Sequence, residues 1–386
     1  MGQWTGFFIF FSLVTSIYAA AHYYLYTWFV RLAEPPKILR RVAAIAFVFL
    51  VFSFPASRIL SWRNFNAFSY LLMLVSSVWM GLVLYLFIFS LTSDLFLILL
   101  RIFRLKSWLL GRTPLRTKRY LFAGIMVIVF LIGGVSLYEA ENIRITRLEI
   151  PLPGLPPELD GFTIAQISDF HFGVLNHTPK LERVVTLANS LKADLIFITG
   201  DLVDESVAHM EEMAGPLAKL RGRAGVYAIT GNHDYYAGVN RATGIMKEAG
   251  ITVLRNELKN LPGGLQLLGI DDPTGVRRMG EKSEDFISLI AKVDPSKPSI
   301  LLYHQPIQFE RTARAGIGLQ LSGHTHGGQL YPIIHISRQI YPWTPGLHRL
   351  GKSFLYVSKG TGTWGPPMRF LAPPEIVHIK LLSTKS

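Results

Sequence analysis

The chain has 386 residues, 50% hydrophobic and 17% charged, with no cysteine and a formal net charge of +13. So much apolar surface excludes a disordered protein, and the lack of cysteine excludes a disulfide scaffold, a thiolate metal site and a cysteine nucleophile. Residues 1–138 hold 13 Lys/Arg against only Glu34 and Asp94, while residues 139–386 hold 26 Lys/Arg against 24 acids, so the basic excess lies in the apolar third. A nucleic-acid-binding domain would carry that excess in its soluble part, and no nucleic-acid partner is expected.

Four apolar stretches reach or approach the roughly 20 helical residues that cross a bilayer: residues 4–30, 42–59, 65–91 and 120–138. Pro55 interrupts the second near its end, and the third continues to Phe103, which suggests a tilted span followed by an interfacial helix. A cleaved signal peptide is disfavoured because Met1-Gly-Gln-Trp-Thr5 lacks a basic n-region. Gly6 likewise removes the myristoylation signal. The first loop carries Arg31, Lys37, Arg40 and Arg41, and the third carries Arg101, Arg104, Lys106, Arg112, Arg116, Lys118 and Arg119. Basic loops stay in the cytoplasm, so a multi-pass membrane protein is expected, with its N-terminus and everything after Tyr138 outside the cytoplasm. Asp94 is the one acid inside the apolar runs. Such a carboxylate suggests an ion or proton relay, but its nearness to Arg101 favours a side chain that snorkels to the interface.

Beyond Tyr138 the pattern changes to short apolar strands alternating with turns and helices, which predicts an α/β domain over residues 139–386. Strands are expected at 143–150, 162–168, 195–199, 226–230, 265–270, 300–303, 319–322, 354–358 and 376–381, and helices at 179–191, 206–220 and 240–248. Chemistry-bearing residues stand just after five of these strands: Asp169 and His171; Asp201 and Asp204; Asn232, His233 and Asp234; His304; and His324 and His326. Loops at the carboxyl ends of strands converge on the ligand crevice of an α/β sheet.

Carboxylate, amide and imidazole donors without sulfur suit Mn, Fe, Co or Zn. Asp169, His171, Asp201, Asn232, His304, His324 and His326 are too many ligands for one tetrahedral site. They suit two divalent ions that share a carboxylate and activate a bridging water for in-line displacement. Gly200, Gly231 and Gly323 let the backbone turn sharply beside these ligands.

Asp169-Phe-His171, Gly200-Asp201, Gly231-Asn-His-Asp234, His304 and Gly323-His-Thr-His326 together resemble the signature of the calcineurin-like metallophosphoesterases. The segments around them resemble the bacterial membrane-associated, YkuE- and YaeI-type branch, over residues 143–383. The resemblance does not extend to the first 138 residues, where hydropathy predicts the four-helix transmembrane region, and it implies a four-layer α/β/β/α sandwich after them. It implies one ion on Asp169, His171, Asp201 and His326, and a second on Asp201, Asn232, His304 and His324, with manganese favoured. His233 would then be catalytic, stabilising the transition state or protonating the leaving oxygen. Asp234 is a candidate to orient it or a plain turn residue, and Asp204 a candidate support for a ligand or a cap.

The implied activity is hydrolysis of a phosphodiester or phosphomonoester, lipid-linked or envelope-derived substrates among them. Arg277, Arg278 and Arg369 are candidates to clamp a substrate phosphate or are solvated surface arginines. Residues 330–343, rich in Tyr, Ile and Trp, line an apolar groove, touch the bilayer or pack within the domain. The rival reading is a membrane receptor whose outer domain only binds a phosphorylated ligand.

Overall fold

The computed structural model of the protein describes residues 3–63, 66–103, 115–204, 209–280, 282 and 284–383. The chain divides into two compact units, Met1–Val135 and Ser136–Ser386.

The first unit holds helices α1 (Gln3–Ala33), α2 (Lys37–Arg63), α3 (Ala67–Ile102) and most of α4 (Leu115–Glu141). Among the described residues three stretches are long and apolar enough to cross a membrane: Lys37–Ser61, Ala67–Leu100 and Leu115–Glu141. That is one fewer than the four expected. The remaining stretch is helical as α1, but several of its first side chains lie outside the described residues. Pro55 sits within α2 without ending it. The expected span and interfacial helix prove to be one unbroken 36-residue helix, α3. No Gly or Pro stops it after Leu91, and the hydroxyls of Thr92 and Ser93 bond back to the carbonyls of Ile88 and Ser90.

Asp94 finds its partners on α1. Its carboxylate meets Arg31 of α1 at 2.6 Å and accepts the Tyr24 hydroxyl at 2.8 Å. A carboxylate on an apolar helix is costly unless a cation and a donor meet it, and a neighbouring helix provides both. At the same end, Lys118 pairs with Glu34 at 2.8 Å and Arg119 donates to the Ala33 carbonyl at 3.1 Å. Arg104, Lys106 and Arg112 of the basic third loop lie outside the described residues, as does the side chain of Arg101.

The second unit contains two six-stranded sheets. The first runs β1 (Arg144–Leu152), β12 (Glu375–Ser383), β2 (Thr163–Ile167), β3 (Leu195–Thr199), β4 (Gly225–Ile229), β5 (Thr252–Val253). The second runs β10 (Gly346–Leu350), β11 (Ser353–Val357), β9 (Leu319–Ser322), β8 (Ser299–Tyr303), β7 (Gln266–Ile270), β6 (Glu257–Asn260). Parallel pairing runs from β2 to β5 and from β11 to β7. The period of two along each strand builds the layers. Phe197 and Ile229 of the first sheet share a core with Leu267, Leu302 and Leu321 of the second. The intervening Leu268, Leu301 and Tyr303 face outward onto Leu289 and Ile290 of α10 (Phe286–Ile290).

The remaining helices are α5 (Thr178–Ser190), α6 (Ala214–Leu217), α7 (Asn232–Tyr236), α8 (Val239–Glu248), α9 (Pro273–Arg278), α11 (Phe309–Arg314) and α12 (Ile334–Ile340). The fold is the expected four-layer α/β/β/α sandwich. The helix expected at 206–220 is shorter and broken: a 3-10 turn over Met210–Met213 leads into α6, and residues 205–208 lie outside the described set. Strands β5, β6 and β10 were not expected. They are short edge strands in which polar or half-buried residues hide the alternation. The carbonyl end of α4 belongs to this unit, and Lys180 and Arg183 of α5 donate to the carbonyls of Ala140 and Glu141 and pair with the Glu141 carboxylate.

Candidate metal centre

The seven expected ligands meet where the carboxyl ends of the strands of both sheets come together. Asp169 and His171 follow β2, Asp201 follows β3 and Asn232 opens α7 after β4, all from the first sheet. His304 follows β8, and His324 and His326 follow β9, from the second. Three overlapping groups could each hold an ion: Asp169, His171 and His326; His171, Asp201 and His233; and Asp201, His304 and His324.

The local backbone is costly. Asp169, His171, Asp201, His324 and His326 lie in the left-handed region, with φ of 53°, 54°, 49°, 71° and 50°. Non-glycine residues held there signal strain that the surroundings must impose. Backbone bonds between loops impose it, from Asp169 N–H to Gly200 O at 3.1 Å and from His171 N–H to Asp201 O at 3.0 Å. Close packing also fixes the glycines: a Cβ on Gly231 would collide with the Asp201 carboxylate, and one on Gly323 with Ser168 and Asp169.

Hydrogen bonds aim the ligands. His304 donates Nδ1–H to the Thr199 carbonyl at 2.8 Å, which turns Nε2 toward Asp201 Oδ2 at 3.1 Å. Tyr341 O lies 2.6 Å from His324 Nε2, so that Nδ1 faces His304 Nε2 at 3.3 Å. His171 Nε2 faces His326 Nε2 at 2.9 Å and lies 3.7 Å from Asp201 Oδ2. Asp201 Oδ2 thus stands between imidazoles of both groups, while its Oδ1 accepts the His233 N–H at 2.8 Å. Asn232 is buried and its Oδ1 has no hydrogen-bond partner among the described residues.

Carboxylate, amide and imidazole electron pairs converging this closely call for positive charge, so the donor set fits divalent ions. Within the protein alone the proton on His304 provides that charge. Burial lowers its pKa, but Asp201 and Asp169 outweigh burial and hold it well above the usual range. Asp201 is likewise held well below its usual range by His304 despite its burial. Burial and then neighbouring positive charge push His324 down to about 3 and His326 well below its usual value, so both remain neutral donors near neutral pH.

His233 sits beside this cluster, its ring centroid 4.7 Å from that of His171. Its Nδ1–H meets the Asp204 carbonyl at 2.9 Å and Asp204 Oδ1 at 3.1 Å. Burial lowers its pKa, but the hydrogen bond to Asp204 and the charges of Asp201 and Asp204 win and hold it up at about 9. Asp234, a candidate either to orient His233 or to serve as a plain turn residue, is placed in the second way. It is fully buried and accepts from Gly231 N–H at 2.8 Å and Val203 N–H at 3.0 Å, capping α7. Position N3 of a short helix favours this capping box, and the partner of His233 is Asp204.

The three arginines that were candidates for phosphate clamps or solvated surface residues have different surroundings. Arg369 is fully buried and donates to the carbonyls of Gly362, His326 and Ala372, so it braces the loop that carries His326. Arg278 is exposed and lies 4.4 Å above the Tyr236 ring, which in turn lies 5.2 Å from that of His233. Arg277 lines a cavity of about 350 Å³ with Asp271, Glu284 and Asp285, an acidic lining that disfavours phosphate. Tyr341, Tyr236 and Trp364, whose ring lies 5.8 Å from that of His233, complete the surroundings and were not singled out from the sequence. The aromatic richness of residues 330–343 was the one signal that pointed toward Tyr341.

A profile described as "Calcineurin-like phosphoesterase" matches residues 162–328. An uncharacterized metallophosphoesterase of Aquifex aeolicus is 35% identical over 258 residues, 66% of this chain and 98% of that protein. The uncharacterized metallophosphoesterase YkuE of Bacillus subtilis is 33% identical over 264 residues, 65% of this chain and 90% of that protein. A "Transmembrane protein with metallophosphoesterase domain" of Danio rerio is 34% identical over 275 residues, 68% of this chain but 63% of that protein.

Proposed function

The chain belongs to the calcineurin-like metallophosphoesterase family, and from that premise we propose that it is a membrane-anchored hydrolase of phosphodiesters or phosphomonoesters, lipid-linked ones among them. One observation carries the reading: imidazole nitrogens of both sheets converge on the carboxylate of Asp201, beside the unpartnered Asn232 Oδ1. Asp169, His171, Asp201 and His326 would hold one divalent ion, and Asp201, Asn232, His304 and His324 the other. Such ions supply positive charge to the transferring phosphoryl group and a nucleophile at neutral pH. His233, kept protonated by Asp204, donates its proton to the leaving oxygen. Asp204 orients the ring, and Asp201 fixes the backbone N–H of the same residue.

The catalytic unit lies outside the cytoplasm in this proposal. Its support is the basic character of the end where Arg31, Lys118 and Arg119 gather, since such ends remain cytoplasmic. The test of the activity uses the full chain in nanodiscs, with Mn²⁺ or chelator, on a soluble diester, a monoester and a lipid phosphoester. Asp201→Asn and His304→Ala are expected to lose turnover and bound metal together. His233→Ala is expected to retain metal and lose turnover. A fully active Asp201→Asn ends the two-ion reading, and metal-loaded wild-type protein that cleaves none of the three esters favours a binding role.

A further inference from the structure

We propose that the rim of the metal centre is a docking surface for an anionic lipid bilayer. Tyr331, Ile336, Ile340, Trp364 and Leu371 are each between 44% and 67% exposed. They sit on separate segments that hydrogen bonds join around the site. Gln329 bonds both backbone groups of Trp364, at 2.8 and 2.9 Å. Leu330 bridges to Phe370, and Tyr331 N–H donates to the Phe370 carbonyl at 3.1 Å. Tyr341, directly after Ile340, touches His324. Helix α12 buries none of its own residues, and its Ile336 and Ile340 are among the most exposed apolar side chains of this unit.

Two further observations identify what covers this surface. Leu371 N–H donates to Glu139 Oε2 at 2.9 Å, and Arg369 N–H to the Ser136 carbonyl at 2.8 Å. Both acceptors belong to the last turns of α4, the helix that is long and apolar enough to cross a membrane. The rim therefore begins one hydrogen bond from the point where the chain leaves its apolar helix. The charge agrees. No acidic residue occurs between Glu310 and Glu375, while Arg338, Arg349 and Lys352 in that interval are exposed. Exposed apolar side chains together with exposed cations, on a stretch of chain without an acid, match the interfacial layer of an anionic membrane. An acidic protein would satisfy the cations but leave the isoleucines facing water.

The absence of cysteine makes the test direct. Ile336→Cys and Ile340→Cys, each labelled with an environment-sensitive fluorophore, are compared with Ile287→Cys and Met279→Cys, exposed positions outside the rim. The full-length protein is reconstituted as one copy per nanodisc, with nitroxide-labelled acyl chains present or absent. The expected result is blue-shifted emission quenched by nitroxide at both rim positions, solvent-like emission at both controls, and stronger quenching with phosphatidylglycerol than with phosphatidylcholine alone. Solvent-like emission at both rim positions would overturn the proposal. A blue shift without nitroxide quenching would also overturn it, since protein rather than lipid would then cover the surface. Quenching that ignores lipid charge would refute the anionic preference. The readout needs no turnover, so failure here leaves the phosphoesterase reading standing.

Discussion

His233 and its neighbours show how a pair of carboxylates with similar positions after strands divides its roles. Against the effect of burial, Asp204 together with the charge of Asp201 raises the His233 pKa to about 9. The imidazole is charged below that value, so it is a competent acid across neutral pH and loses its proton as pH rises through it. Asp204→Asn removes the charge while keeping an amide oxygen and the backbone carbonyl as acceptors, so the alkaline limb of the pH–rate profile is expected to move to lower pH by roughly 1–3 units. A limb that stays in place in the variant would show that another group governs it. Tyr341 acts through His324, whose Nε2 it meets at 2.6 Å. Tyr341→Phe is expected to weaken binding of one ion on the order of 10- to 100-fold, as loss of a ligand's hydrogen-bond partner typically does. Metal titration of the protein followed by calorimetry checks this, and one of two binding isotherms should shift while the other stays.

At the scale of elements, the order of strands was readable because β3 and β8 carry apolar runs, Leu195–Ile198 and Ile300–Tyr303, that end at Gly200-Asp201 and at His304. The candidate ligands were readable for the same reason, since each stands one or a few residues past a strand. Edge strands such as β6 were not readable: Glu257, Lys259 and Asn260 give it no apolar face to alternate. Nor could the sequence separate Asp204 from Asp234. Each lies within a few residues of a strand end, and only the geometry of α7 assigns Asp234 to its cap. The inter-sheet core rests on single large side chains, and Leu302 in β8 is fully buried within it. Leu302→Ala is expected to cost about 2–5 kcal/mol, read as a lowered denaturant midpoint. Leu258→Ala on the half-buried edge strand should cost clearly less. Equal losses would mean that the core is not centred between the sheets.

For the whole molecule, the helices long and apolar enough to cross a membrane were legible in residue count and hydropathy, because a bilayer imposes a length that composition alone reveals. The pairing of Asp94 with Arg31 was not, since it depends on which helix faces align. The proposed orientation predicts that protease added to intact spheroplasts cleaves within residues 142–383, while full protection of that region would place the unit in the cytoplasm. The division of the ligands between two sheets has a consequence for the lifetime of the protein. Each proposed ion takes donors from both sheets, so it acts as a removable rivet at the edge of the sandwich. Binding to the folded state alone stabilises it in proportion to the logarithm of ion concentration. In metal-poor surroundings the sheets lose that rivet and part more often. Scarcity of the ion therefore shortens the survival of the catalytic unit among proteases, besides silencing its chemistry.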